Sequence, residues 1–170
     1  MRKLISLSAL AVASISLSTF AAADELNGTY KMISAKRQIV DTGEVTDAYG
    51  GPHPNGTIIY GRDGRFLALV TFDGRAKPES ILTMTDQQRA DLFRSMLAYG
   101  GTYSFDGAKV EHHIDISWNE VWTGTTVIRD IKKEGDKLIY TTRPAPFSSD
   151  GKMSVVTVMY EKIAPLHNKQ

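Results

Sequence analysis

Along most of the chain, short runs in which apolar residues alternate with polar ones are separated by glycine or by Asp-Gly pairs. Alternation with a period of two is the mark of a half-buried β-strand. It predicts strands at Gly28–Lys36, Thr57–Tyr60, Arg65–Phe72, Thr102–Phe105, Lys109–Ser117, Trp122–Ile131, Lys137–Thr142 and Lys152–Ile163. Arg37–Pro54 reads mainly as loop, with a short strand possible at Gln38–Val45, and the Gly- and Pro-rich cluster Tyr49–Gly56 excludes regular structure there. Gly61-Arg62-Asp63-Gly64, Asp106-Gly107 and Glu134-Gly135 are turn sequences between successive strands. The period changes in one segment only. Thr85-Asp86-Gln87-Gln88 is a capping sequence, and Ala90, Phe93, Met96 and Leu97 recur at helical spacing, so an amphipathic helix is predicted from about Asp86 to Tyr99, ended by Gly100-Gly101.

The expected fold class is therefore mainly β: an antiparallel meander of about eight strands with one amphipathic helix. Eight strands is the size at which a sheet can close on itself. Closure removes exposed edges, and the resulting barrel is either filled by side chains or holds one small ligand.

The N-terminus has a different logic. Arg2 and Lys3 precede an apolar, serine-containing run from Leu4 to Phe20, and Ala21-Ala22-Ala23 follows. That order is the pattern of a secretory signal peptide, residues 1–23, cleaved after Ala23. The expected domain is then 24–170, a length that fits one domain with its own core. Loss of the signal takes the formal charge from +1 to −1, which lacks the basic footprint of nucleic-acid binding. No later stretch is long and apolar enough for a stable membrane span. There are no cysteines, so neither disulfides nor thiolate chemistry enter, and the expected setting is a bacterial periplasm or the secreted fraction.

Candidate chemistry gathers in Gly101–Arg129, which carries His112-His113, Trp118, Trp122 and Arg129. Strand parity puts Val110, His112, Ile114 and Ile116 on one face and Glu111, His113, Asp115 and Ser117 on the other. The two histidines therefore point apart and do not chelate one metal, so no metal site is expected. His112, on the apolar face, is either a polar anchor for a ligand or a buried histidine satisfied by a neighbour. Trp122, like Trp118, suits either a cavity mouth or packing at a barrel end. Arg129 suits either a clamp on a ligand anion or a structural closure. Tyr60, Tyr99 and Tyr103 have apolar bodies and polar tips that suit a pocket lining. The sequence lacks G-x-S-x-G, H-E-x-x-H and a phosphate-binding glycine loop, and no cofactor is implied.

Several of these segments together resemble the bacterial and fungal lipocalin-like domain family, a branch of the calycin-type barrels. They are Gly28-Thr29-Tyr30, Pro54–Tyr60 with Asp63-Gly64, Tyr99-Gly100-Gly101-Thr102-Tyr103, His112-His113, Ser117, Trp122, Gly124-Thr125, Arg129 and Asp136-Lys137-Leu138. The sequence departs from the family pattern at Ser117–Trp122, where the proline common in the family is missing. The resemblance implies a lipocalin-like barrel. The leading expectation is an exported protein that binds a small hydrophobic or amphipathic molecule, with His112, Tyr103, Trp122, Arg129 and Tyr60 as ligand-binding candidates. One alternative is an isomerase, cyclase or lyase using His112 as general base in the cavity. Another is a structural or interaction module of the cell envelope.

Overall fold

The computed structural model describes residues 25–164. The expected signal peptide and its cleavage point lie outside the described residues. The described residues form ten strands, β1 (Gly28–Ile39), β2 (Val45–Asp47), β3 (Asn55–Tyr60), β4 (Arg65–Thr71), β5 (Met96–Phe105), β6 (Lys109–Ser117), β7 (Thr126–Glu134), β8 (Lys137–Thr142), β9 (Ala145–Pro146) and β10 (Met153–Lys162), of which all but the short β2 and β9 follow one another in an antiparallel meander. The first and last long strands pair from Tyr30–Lys162 to Ile39–Ser154, closing eight strands into a barrel. The short strands β2 and β9 extend the sheet on β1 and β10 at one end of it.

Alternation carries the core, as the sequence pattern requires. On β4, Phe66, Ala68 and Val70 are buried while Arg65, Leu67 and Leu69 are exposed. On β10, Ser154, Val156, Val158 and Tyr160 are buried. Turn chemistry fixes the register between strands: the Asp106 carboxylate accepts from the Ala108 and Lys109 amides, and Gly107 takes a positive φ of 97°.

Several boundaries differ from the sequence expectation: β1 runs on to Ile39, the possible strand at Gln38–Val45 contains a turn, and β3 starts at Asn55, inside the cluster expected to lack regular structure. Two further differences have reasons the backbone makes plain. The helix α1 spans Asp86–Arg94 and not Asp86–Tyr99. Its start is as expected, with a capping box between Thr85 and Gln88, but none of its residues is buried. Met96–Tyr99 instead pairs with Ala68–Thr71 as the start of β5, where Leu97 and Tyr99 point inward with a period of two. The helical spacing of Ala90, Phe93, Met96 and Leu97 spanned the junction of two elements. Gly100 and Gly101 consequently do not end a helix. They lie inside β5, beside a bulge in β6 that leaves Asp115 unpaired. A Cβ on Gly101 would stand 2.0 Å from the His113 carbonyl oxygen, so only glycine admits this approach.

The same bulge reverses side-chain parity. Ile116 was expected inside with His112 and Ile114, yet it is 68% exposed, whereas Ile114 is fully buried. β7 starts at Thr126 and not at Trp122, because Glu120–Trp122 forms a single 3₁₀ turn whose Val121 amide is capped by the Asn119 side chain. This turn occupies the stretch where the family's proline is missing.

Candidate functional site

The barrel interior has two halves of different character. One end is packed with aromatic rings. Tyr30, Tyr60, Phe66, Tyr103, His112 and Tyr140 are all buried there. His112 stacks on Phe66 with ring centroids 4.1 Å apart, and Tyr60 meets Tyr103 edge to face at 4.7 Å. The Tyr60 hydroxyl lies 2.7 Å from His112 Nε2 and is also hydrogen-bonded to the Tyr140 hydroxyl. Among the described residues His112 Nδ1 has no hydrogen-bond partner, whichever ring nitrogen carries the proton. Burial above all, with the positive field of Arg129 second, pushes the His112 pKa down to about 3, so the ring is neutral at physiological pH. Burial also holds the Tyr140 hydroxyl well above its ordinary range.

The other end is open. A cavity of about 430 Å³ is walled by Tyr49, Leu97, Trp122, Val127, Arg129, Thr142, Phe147 and Val156, with the exposed Arg143 at the rim. A smaller space of about 40 Å³ continues inward to Val70, Tyr99, Tyr140, Val158 and Tyr160. Tyr49, Leu97, Trp122, Arg129 and Thr142 line both. Tyr140 is thus the floor, and His112 lies behind it.

Each wall residue owes its place to a local feature. Val127, Arg129 and Ile131 alternate inward on β7, with Arg129 opposite Val110 on β6 and Thr142 on β8. Trp122 projects from the 3₁₀ turn, packed edge-on against Tyr99 at 5.3 Å and Trp118 at 5.0 Å. Tyr49 is the one non-glycine among the described residues with a positive φ, 56°, a costly conformation that the surrounding chain imposes. Phe147 comes from the segment between β9 and β10. Arg37, buried on β1, tethers that segment. It lies 4.1 Å from the Phe147 ring centroid, donates to Asp150 at 2.7 Å and donates to Ser154 Oγ at 2.9 Å.

The five residues singled out from sequence therefore divide between the two halves. Trp122 and Arg129 line the cavity. Tyr60, Tyr103 and His112 belong to the packed end, where the Tyr103 hydroxyl donates to the Gly61 carbonyl at 3.0 Å, and none of the three lines a cavity among those described here. His113 faces outward, 3.2 Å from the Thr126 hydroxyl and 3.7 Å from Asp115, so the two histidines do occupy opposite faces. Sequence reasoning missed Tyr49, Tyr140, Phe147 and Tyr160. Parity on β8 and β10 contains the signal for Tyr140 and Tyr160, since each alternates with buried residues. Nothing local marks Tyr49 or Phe147, which lie in Gly- and Pro-rich connections.

Among the described residues no helix is long and apolar enough to cross a membrane. No curated protein matches the chain in sequence. The family model for the lipocalin-like domain, however, matches residues 27–163, from just before β1 to just beyond β10. With the strand order, the closure of β1 on β10 and a match across nearly the whole barrel, the chain belongs to the lipocalin-like domain family.

Proposed function

We propose that this protein binds one small hydrophobic or amphipathic molecule in the open half of its barrel, and that it does so after export. The observation that carries the reading is the 430 Å³ cavity with its aromatic and aliphatic wall, within the range of small-molecule sites. The floor supports it as well. Tyr60, His112 and Tyr140 are held together by hydrogen bonds through the Tyr60 hydroxyl and by stacking of Tyr60 on His112, so the end of the cavity does not depend on a ligand for its shape. Family membership agrees with binding in a barrel, although fold alone does not assign a ligand. The basic, apolar and small-residue order of residues 1–23, together with the lack of cysteine, supports export.

Fluorescence titration with N-phenylnaphthylamine, a neutral aromatic probe, tests the binding. Saturable one-to-one binding is expected, weakened at least severalfold by Val127→Phe, which fills the cavity. Lack of saturable binding, or equal affinity in the filled variant, overturns the reading. Cell fractionation with N-terminal sequencing tests the export, and an intact N-terminus in the cytoplasm refutes it.

A further inference from the structure

We propose that the molecule held in the cavity is an amphipathic organic anion, its acidic group bound by Arg129 and its apolar body laid against Tyr49, Trp122 and Phe147. This rests on the reading of the cavity as a small-molecule site and adds the charge and orientation of the occupant.

Four observations converge on Arg129. First, its position on β7 puts it on the inner wall, lining both the main cavity and the narrower space beneath. Second, the guanidinium has no carboxylate partner among the described residues. Its single hydrogen bond runs back to the Ile128 carbonyl at 3.0 Å, leaving most of its five N–H donors unused. Third, no other interior charge among the described residues balances it: the buried basic side chains are Arg37, committed to Asp150, and His112, which is neutral, and no acidic side chain is buried. Fourth, the hydroxyls of Tyr49, Tyr99 and Tyr160 all lie within the electrostatic reach of Arg129 and make no hydrogen bond to a described residue. Burial raises the pKa of all three, so they are protonated donors at physiological pH.

A partly buried cation without a counter-ion is unfavourable, and an arginine fork is suited to a carboxylate, sulfonate or phosphate. An arginine that only closed a barrel end would spend its donors on the carbonyls around it. Here one carbonyl is engaged and the remaining donors are left for an acceptor inside the barrel. Arg143 at the rim adds a second positive charge on the path inward.

The test compares two probes with the same aromatic body, anilinonaphthalene sulfonate and neutral N-phenylnaphthylamine, titrated against the wild type, Arg129→Met and Arg129→Lys. The wild type is expected to bind the sulfonate about tenfold more tightly than the neutral probe. Arg129→Met removes that preference, read as the ratio of the two probes' affinities in the same variant, and Arg129→Lys retains part of it. Equal affinity of the wild type for the two probes overturns the proposal and leaves the cavity reading standing. So does a preference that survives Arg129→Met. Failure of both probes to bind overturns the cavity reading itself. The wild-type ratio stands even if Arg129→Met does not fold.

Discussion

His112 makes the barrel sensitive to acid, and by an amount that follows from its burial. An ordinary histidine titrates at 6.5, whereas in the folded barrel the ring is held down to about 3. Between these values the unfolded chain takes up a proton that the native ring refuses. The unfolded state therefore binds more protons, and stability falls as the pH is lowered from about 6.5 toward about 3. At 1.36 kcal/mol for each pH unit, the loss from this one group is about 3 kcal/mol near pH ~4.5 and approaches about 5 kcal/mol at the lower limit. That is a large part of the roughly 5–15 kcal/mol that holds a domain of this kind together. The perturbation is His112→Leu, which keeps an apolar body of similar size and leaves the Tyr60–Tyr140 hydrogen bond in place. At neutral pH its own cost is about 1 kcal/mol, for one lost hydrogen bond. Urea unfolding from about pH 7.5 to about pH 4.5 measures both proteins. The remaining groups are common to both proteins and cancel in the difference, so the variant is expected to lose about 3 kcal/mol less than the wild type across that range. Equal acid slopes for the two proteins refute the argument, and with it the neutral, sealed state of His112.

Three further outcomes are expected. Tyr60→Phe strips His112 Nε2 and the Tyr140 hydroxyl of a shared partner; it is expected to destabilise the barrel by about 2 kcal/mol, and a melting temperature unchanged to within about 1 °C counts against it. Gly101→Ala forces a methyl group against the His113 carbonyl across the bulge; calorimetry should show a loss of about 2–3 kcal/mol, and a neutral result contradicts the close approach of β6 to Gly101. Asp150 is held below the usual carboxylate range chiefly by its hydrogen bond from Arg37, so Asp150→Asn should release the segment carrying Phe147; amide exchange at Phe147 and Gly151, which bond across that segment, is expected to speed up severalfold, and unchanged exchange contradicts the tether.

What was legible in the sequence was the period. Strand alternation places His112 inside and His113 outside, gives eight barrel strands, and puts Arg129 on the inner face. The errors arose where one period meets another. Met96 and Leu97 continue a helical spacing by coincidence, and their true partners, Thr71 and Val70, lie more than twenty residues upstream. A bulge is invisible to parity, since it needs the close backbone approach that Gly101 permits, and it turned Ile116 outward. Position along the barrel axis was equally hidden. Tyr103 and Arg129 share an inward orientation, yet one belongs to the packed end and the other to the cavity, because height in a barrel is set by strand tilt and register and not by alternation.

The hydrogen-bonded layer of Tyr60, His112 and Tyr140 has a geometric consequence. It makes the described barrel a cup and not a tube. A molecule bound as proposed would enter and leave through the same opening, so its residence time would be governed there. Its reach would be governed at the floor: a chain extending beyond Tyr140 would have to remain outside the wall, so the length admitted would be set at the end opposite the opening.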